Sequence, residues 1–182
     1  MKVAIISASV RDGRDSPRVA LYFRNFIQEN KLADVEILDL KEYNFPIFNE
    51  RLKYQKDPKP KTLEFAEKVR NADGIIIVTP EYNGGYPASL KNVIDLLIGE
   101  WEGKPISIST VSSGGFGGMN MISSLQYSLW KLHALTVPWM FPVPKVADNY
   151  DETGIPKDKE GTDKRAHKFI EELIRTIENN TI

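Results

Sequence analysis

The sequence predicts a three-layer α/β sandwich, in which a five-stranded parallel sheet is covered by helices on both faces. Apolar runs of strand length alternate strictly with longer segments of helical period along the chain, and this alternation is typical of strands joined by crossover helices. The runs are almost continuously hydrophobic, as expected for strands that are buried on both faces. We expect residues 1–182 to form a single domain, since this length suits one domain of that size.

The first half of the chain supplies two strands and two helices of this pattern. The apolar run 3–7 is the first strand, and the helix over 17–29 follows it. That helix has apolar residues on or near one face and Pro17 in its first turn, where proline is well tolerated. The second strand covers 35–40, and a helix over 62–71 follows a polar stretch.

The second half supplies three strands and three helices. Its strands cover 74–78, 106–111 and 136–141, and its helices cover 88–98, 119–133 and 163–179. The first and third strands of the chain are fully apolar and are therefore expected at the centre of the sheet. Right-handed crossovers leave few topologies, and five strands favour the flavodoxin-like order 2-1-3-4-5 over a six-stranded dinucleotide-binding sheet.

Composition excludes several classes of function. The net charge is −1, which argues against a nucleic-acid partner, because such proteins normally show a basic face. The chain has no cysteine, which excludes disulfides, thiolate catalysis, Fe–S clusters and cysteine zinc sites, and we expect no bound metal. No apolar run approaches the roughly 20 residues of a membrane span, and the first residues form a strand rather than a signal peptide. We therefore expect a cytoplasmic protein with no membrane partner.

The stretch 53–61 is rich in lysine and proline. One interpretation is a solvated, flexible loop. The other is a flap over a neighbouring site or a contact between subunits. The sequence leaves both interpretations open.

Three unusual loops follow strands one, three and four. We call them loop one (7–18), loop three (80–87) and loop four (112–118). In open α/β sheets, ligands bind outside the carboxyl ends of the strands, at the point where the strand order reverses. The predicted topology brings these three loops together at that point, which predicts a ligand site there.

Loop one indicates a phosphate site. It holds three serines and three arginines and leads into the start of a helix, where free backbone N–H groups favour anions. Hydroxyl groups and a guanidinium match a phosphomonoester. The loop is neither a Walker loop nor a Gly-x-Gly-x-x-Gly dinucleotide turn.

Loops three and four indicate a flat ligand. Loop three contains two tyrosines, an asparagine and two glycines, and loop four has four glycines in five residues, so the backbone of each permits close approach. Glu81 is also a candidate general base, but no histidine or nucleophile lies near it in sequence. Flavin mononucleotide (FMN) combines the expected features: one phosphate, a polyol chain and a flat ring system.

The three loops resemble the motifs of the NADPH-dependent FMN reductase family, a flavodoxin-like group of quinone, azo-dye and chromate reductases. The family's first pattern, Gly-Ser-x-Arg followed by Ser, is matched by Ala8-Ser9-Val10-Arg11 and Ser16. Its second, Pro-Glu-Tyr-Asn-Gly-Ser followed by Leu-Lys-Asn, is matched by Pro80-Glu81-Tyr82-Asn83-Gly84-Gly85 and Leu90-Lys91-Asn92. Its third, a Gly-Gly turn before a long helix, is matched by Gly114-Gly115. The second motif is highly specific, and the order and spacing cover nearly the whole chain.

The resemblance implies a set of cofactor-binding residues. The FMN phosphate would contact Ser9, Arg11 and Ser16, with Arg18 as a further candidate. The ribityl chain and ring would contact Pro80, Glu81, Tyr82, Asn83 and Gly84, and the other side would be closed by Ser113, Gly114 and Gly115. Three departures bear on these contacts: Ala8 and Ala88 replace glycines, Gly85 replaces a serine, and extra residues separate Arg11 from Ser16.

The resemblance also implies an activity. The protein would pass hydride from NADPH or NADH to FMN, and then to a small-molecule acceptor such as a quinone, flavin, azo dye or metal oxyanion. The flavin would carry the chemistry, so no catalytic side chain is expected. A homodimer or homotetramer is implied as well. The alternatives are a flavodoxin-type electron carrier and a non-catalytic protein of the same fold, which NADPH oxidation and flavin binding would distinguish.

Overall fold

A computed structural model describes residues 1–180 of the chain. Its strands are β1 (Lys2–Ser7), β2 (Asp34–Asp39), β3 (Gly74–Pro80), β4 (Pro105–Val111), β5 (Leu135–Thr136) and β6 (Phe141–Val143). Its α-helices are α1 (Ser16–Glu29), α2 (Leu40–Tyr43), α3 (Pro60–Asn71), α4 (Ala88–Leu96), α5 (Ile122–Lys131), α6 (Val146–Asn149) and α7 (Lys159–Asn180). The single domain predicted from the sequence also includes residues 181 and 182, which lie outside the described residues.

The sheet is parallel, and its order β2-β1-β3-β4-β5 confirms the predicted topology. β1 lies beside β3 with Ser7 opposite Val78, and β3 lies beside β4 with Pro80 opposite Val111. The carboxyl ends of these three central strands therefore meet at one edge. Loops one, three and four all leave the sheet at that edge.

The fifth strand differs from the prediction of one strand over 136–141. It is divided into β5 and the short β6, which pairs with β4 at Ser109 to Val111. Pro138 lies in the interruption, and proline cannot donate a ladder hydrogen bond. The division lets the chain continue pairing with the carboxyl end of β4, next to loop four.

Several helical predictions also differ in their boundaries. The helix predicted over 88–98 ends at Leu96, and the helix predicted over 163–179 begins at Lys159. The helix predicted over 119–133 begins with a 3₁₀ turn at Met119–Met121, continues as α5 and ends at Lys131. His133 has a left-handed φ of 60°, which is incompatible with a continuing right-handed helix. The polar stretch before α3 contains α2 and a 3₁₀ turn at Leu52–Tyr54.

The two layers of helices bury separate cores. On one face, α3, α4 and α5 contribute Phe65, Leu90 and Leu125. On the other, Phe23 of α1 stacks on Phe169 of α7, with ring centroids 5.1 Å apart. This packing fixes the start of α1, which carries the end of loop one, against the sheet. No helix within residues 1–180 has both the length and the apolar content needed to cross a membrane.

Gly154 packs closely against the backbone of helix α1. Its φ is +86°, and a Cβ placed there would lie 2.7 Å from both the Arg18 carbonyl oxygen and the Tyr22 nitrogen. Both are backbone atoms of α1, which have little freedom to move. We expect Gly154→Ala to lower the free energy of unfolding by about 2–3 kcal/mol, through left-handed strain and overpacking together.

Urea denaturation of the parent protein and of Gly154→Ala measures this difference in the free energy of unfolding. Gly99 provides the matched control, because a Cβ there meets nothing within 4 Å and its φ is not left-handed. Gly99→Ala should leave the free energy of unfolding within about 0.5 kcal/mol of the parent. Equal effects of the two substitutions would contradict the structure at Gly154.

Candidate functional site

The three loops enclose a cavity of about 140 Å³ at the carboxyl edge of the sheet. Seven of the residues predicted from the sequence line it: Ser9, Arg11, Ser16, Pro80, Glu81, Tyr82 and Ser113. The other five, which do not, are Arg18, Asn83, Gly84, Gly114 and Gly115. The volume suits a phosphate and a short polyol rather than a whole flavin, so a bound ring would extend beyond the enclosed space.

Larger cavities occur elsewhere. One of about 380 Å³ lies between the start of β1, β2 and α3, and two of about 520 Å³ lie beside α3 and beside α6. Size alone would favour them as ligand sites. The smaller cavity is nevertheless the stronger candidate cofactor site, because it lies where the strand order reverses and combines hydroxyls with a guanidinium.

Arg14 determines the shape of loop one. Its guanidinium binds both carboxylate oxygens of Asp39 at 2.6 Å and also donates to the Ser9 carbonyl oxygen. Both side chains are largely buried, at 15% and 13% exposure. Such a bidentate pair is rigid. It ties loop one to the end of β2 and holds the Ser9 backbone beside the cavity.

Three other charged residues of loop one, Asp12, Asp15 and Arg18, are engaged in ion pairs. Asp12 accepts a hydrogen bond of 2.7 Å from the Lys41 ammonium, which lowers the pKa of the Asp12 carboxyl. Arg18 pairs with Asp15 at 2.9 Å and donates to the Tyr150 carbonyl oxygen at 2.9 Å. Arg18 therefore connects α1 to the segment after α6 and does not line the cavity, whereas Asp15 does.

Arg11 is the arginine of loop one that remains available. It lines the cavity and is exposed, and within residues 1–180 its side chain makes no hydrogen bond or ion pair. Arg14 and Arg18 each have a carboxylate partner. An anion in the cavity would therefore meet one uncompensated guanidinium.

Two serines complete the polar lining from loop one. Ser9 Oγ shares a hydrogen bond of 2.7 Å with the Tyr82 hydroxyl, which connects loop one to loop three. Ser16, the first residue of α1, is 3% exposed, and its hydroxyl has no hydrogen-bond partner within the described residues. A buried hydroxyl without a partner is costly. A phosphate oxygen at the start of α1 would supply the missing partner.

Glu81 is held by the segment after loop four. Its carboxylate accepts hydrogen bonds from the backbone N–H of Asn120 at 3.1 Å and from the Asn120 side-chain amide at 3.0 Å. These bonds anchor loop three to the 3₁₀ turn that precedes α5. Both carboxylate oxygens are thereby engaged, so the arrangement disfavours Glu81 as a general base and favours a positioning role.

The tip of loop three is a tight turn. Tyr82 and Gly85 exchange two backbone hydrogen bonds of 2.8 and 3.1 Å, and Asn83 and Gly84 between them have left-handed φ values of 52° and 80°. Asparagine and glycine are the residues that best tolerate this conformation. The turn projects from the edge of the sheet beside the cavity.

The glycines of loop four divide into two groups. Gly117 and Gly118 have left-handed φ values, and a Cβ on Gly118 would lie 3.1 Å from the Val111 carbonyl oxygen. These two are required by the fold. Gly114 and Gly115 have no left-handed φ, and a Cβ on either meets nothing within 4 Å. The protein alone gives no reason for glycine at 114 and 115, whereas a flat ligand lying on the backbone would.

Sequence reasoning missed several residues that shape the site. Val146 and Ser112 line the cavity, and Asn120 and Asp39 hold its loops in place. The Asp39 and Asn120 contacts join residues distant along the chain, so no local pattern indicated them. Within residues 1–180, no group of three or more histidine, aspartate or glutamate side chains is arranged to hold a metal ion.

Known proteins share both the sequence pattern and the fold. The family described as NADPH-dependent FMN reductase matches residues 1–148. An NAD(P)H-dependent FMN reductase from Schizosaccharomyces pombe is 35% identical over 76% of this chain and 70% of its own. An NADPH azoreductase from a Bacillus species is 34% identical over 76% of this chain and 74% of its own.

The fold comparison agrees with the sequence comparison. FerB, a flavoenzyme NAD(P)H:(acceptor) oxidoreductase from Paracoccus denitrificans, superposes with a TM-score of 0.78 at 22% identity, and the match covers 98% of each chain. This supports the flavodoxin-like architecture. The family match covers most of the chain and includes all three loops around the cavity. The chain therefore belongs to the NADPH-dependent FMN reductase family.

Proposed function

We propose that this protein is an FMN-dependent oxidoreductase that oxidises NADPH or NADH and reduces a small-molecule acceptor. The observation that carries the proposal is a pair of unsatisfied polar groups in the lining of the cavity. Within residues 1–180, the buried Ser16 hydroxyl has no hydrogen-bond partner, and Arg11 has no counter-ion. Both groups fit the phosphate of FMN, and they lie at the edge of the sheet where this family's motifs converge.

The proposed contacts follow from the three loops. Ser9, Arg11 and Ser16 would hold the phosphate. The ribityl chain and the ring would lie against two walls, formed by the loop three residues Pro80, Glu81, Tyr82, Asn83 and Gly84 and by the loop four residues Ser113, Gly114 and Gly115. Arg18 is left out of this set because Asp15 and the Tyr150 carbonyl already occupy its guanidinium.

Bound FMN supplies hydride transfer, which is the difficult step of such a reaction. The chain's own contribution is to bind and orient. Asn120 fixes Glu81 and with it the wall of loop three, while Arg14 fixes loop one. If only one ring face is open, the dinucleotide and the acceptor occupy it in turn. We therefore expect double-displacement kinetics, measured as parallel lines in double-reciprocal plots.

The acceptor and the assembly are also proposals. A quinone, free flavin, azo dye or metal oxyanion suits an exposed flavin, and an anaerobic acceptor panel ranks them.

We propose a homodimer or homotetramer. Phe116 of loop four is 88% exposed, and Tyr127 and Trp130 of α5 are each 63% exposed with ring centroids 5.8 Å apart. An exposed patch of neighbouring aromatic side chains, such as Tyr127 and Trp130, favours an interface, and sedimentation equilibrium measures the assembly.

Removing the proposed phosphate contacts should weaken the binding of FMN but not the binding of riboflavin. We expect Arg11→Gln and Ser16→Ala each to raise the Kd for FMN about tenfold, because each removes a hydrogen bond to a charged group. Fluorescence quenching of FMN on titration with apoprotein measures this Kd. Riboflavin, which lacks the phosphate, should bind both variants as it binds the parent.

Arg51→Gln is the matched control, since Arg51 is exposed, makes no ion pair in the described part of the chain and lies outside the three loops. It should leave FMN affinity unchanged. Equal losses for riboflavin and FMN in the Arg11 and Ser16 variants would count against the proposed phosphate site.

Steady-state turnover tests the function itself. FMN-loaded protein should oxidise NADPH or NADH in the presence of a quinone, and protein stripped of FMN should not. Bound FMN without turnover would instead favour the electron carrier.

A further inference from the structure

A second cavity, of about 520 Å³, lies between the segment 45–59, the start of α3 and one side of α4. It is separate from the flavin site, since it shares none of that site's lining residues. Its lining includes the aromatic residues Phe48 and Tyr54 and the basic residues Lys56 and Lys59. The lysine-rich stretch noted in the sequence therefore forms part of a cavity.

Three polar side chains at this cavity, those of Thr62, Lys56 and Lys59, lack partners within the described residues. Thr62 is 6% exposed, lines the cavity, and has no hydrogen bond to its hydroxyl within the described residues. Lys56 and Lys59 are exposed, and in the same part of the chain neither makes an ion pair. A hydroxyl without a hydrogen bond, beside two lysines that make no ion pair within the described residues, suits an anion.

The start of α3 strengthens this preference. Lys59 is the N-cap and makes no capping hydrogen bond through its side chain, and the first turn contains no acidic residue. The partial positive charge of the helix start therefore remains uncompensated. Of the two carboxylates in the lining, that of Glu50 accepts the Arg51 N–H at 2.8 Å, and that of Asp57 opposes the lysines. Lys53, whose ammonium lies 5.6 Å from the centroid of the Tyr54 ring, adds a further positive charge nearby.

Helix α4 connects this cavity to the flavin site. Ser89, in its first turn, donates a hydrogen bond of 2.6 Å to the Ala8 carbonyl oxygen of loop one. Asn92, three residues further on, donates to the Pro46 carbonyl oxygen at 2.8 Å and accepts from the Phe48 N–H at 2.5 Å. The wall of the second cavity is thus fixed about one helical turn, or roughly 5 Å along the axis, from the contact with loop one.

We propose that this cavity binds the phosphorylated adenosine end of NADPH. Lys56, Lys59 and the Thr62 hydroxyl would contact the 2′-phosphate, and Tyr54 would lie against the adenine base. The inference rests on the proposed function, which requires a nicotinamide dinucleotide at the neighbouring site. NADH lacks the 2′-phosphate, so the cavity would make the protein prefer NADPH.

The test combines binding with kinetics. In the FMN-loaded protein, the double variant Lys56→Gln/Lys59→Gln should weaken the binding of adenosine 2′,5′-bisphosphate about tenfold or more, as measured by isothermal titration calorimetry. The binding of 5′-AMP should stay within about twofold, because it lacks the 2′-phosphate. The KM for NADPH should rise by a similar factor with kcat and the KM for NADH unchanged.

Two further variants sharpen the result. Thr62→Val keeps the shape of the side chain and removes its hydroxyl. It should weaken the binding of adenosine 2′,5′-bisphosphate severalfold. Lys164→Gln is the control, because Lys164 is exposed and lies on α7 in the opposite helical layer. It should change neither affinity nor the ratio of the two KM values.

The outcomes separate this inference from the proposed function. Suppose that the parent oxidises NADPH and that the double variant shows unchanged bisphosphate binding and unchanged KM values. This result would overturn the inference about the second cavity and leave the proposed function standing. Bisphosphate binding that depends on the two lysines, in a protein that does not oxidise NADPH, would support the cavity and overturn the proposed function. Equal weakening of 5′-AMP and the bisphosphate would also overturn the assignment of the lysines to the 2′-phosphate.

Discussion

Gly114→Val is expected to weaken FMN binding about 100-fold while leaving the stability of the apoprotein unchanged. Gly114 is exposed, has no left-handed φ and has open space where a Cβ would lie. The apoprotein can therefore accept the side chain within about 0.5 kcal/mol of the parent free energy of unfolding. In the holoprotein, the valine would occupy the space proposed for the flavin, and such overpacking is costly.

Gly118→Val is the matched comparison in the same loop. Gly118 has a φ of 73°, and its Cβ would lie 3.1 Å from the Val111 carbonyl oxygen. This variant should lose about 2–4 kcal/mol of apoprotein stability, from strain and overpacking together. Urea denaturation of apoprotein and fluorescence titration with FMN measure both properties. Undiminished FMN affinity in Gly114→Val would remove loop four from the proposed site.

Arg14→Met is expected to reduce both stability and FMN affinity. The substitution keeps the length and the apolar part of the side chain but leaves the Asp39 carboxylate, 13% exposed, without its guanidinium partner. Removing one partner of a largely buried ion pair costs about 3 kcal/mol. The Ser9 carbonyl also loses its hydrogen bond from Arg14. The resulting freedom of loop one should raise the Kd for FMN about tenfold.

Arg175→Met tests whether the loss of stability in Arg14→Met depends on the burial of its ion pair. Arg175 pairs with Glu172 on α7 and is 65% exposed, so its loss should cost at most about 0.5 kcal/mol. The double variant Arg14→Met/Asp39→Leu removes both charges and should recover part of the lost stability without recovering FMN affinity. A full recovery of FMN affinity in the double variant would show that Arg14 only neutralises the Asp39 carboxylate and does not position loop one.

The sequence predicted the fold well where local pattern determines it. The apolar runs gave the central strands, and alternation with helices gave the strand order 2-1-3-4-5 that the structure confirms. The fifth strand was wrong in extent, since Pro138 divides the apolar run and β6 pairs further along β4. The end of α5 was also missed, because the left-handed turn at His133 has no glycine to mark it.

The site could be predicted only in part. The loops were identified because glycines, serines and arginines cluster at strand ends, and seven of the twelve named residues line one cavity. The supports of those loops could not be predicted. Asp39 lies 25 positions from Arg14, and Asn120 lies 39 positions from Glu81. Folding brings these pairs together, and residue spacing carries no signal of it.

The choice among the three arginines of loop one shows the same limit. The family resemblance implied Arg11 as a phosphate ligand, with Arg18 as a further candidate, and did not include Arg14. Within residues 1–180 of the structure, Arg14 and Arg18 have carboxylate partners, and Arg11 lines the cavity without one. Only the positions of Asp15 and Asp39 in three dimensions make that distinction.

The central claim is that the three loops hold FMN for reduction by a nicotinamide dinucleotide. It is tested most directly by the visible absorption spectrum of the protein after incubation with FMN, removal of free flavin by desalting, and anaerobic addition of NADPH. We expect the bands of oxidised flavin to remain after desalting and to bleach on addition of NADPH. Protein that retains no flavin, or retained flavin that NADPH does not bleach, would contradict the claim.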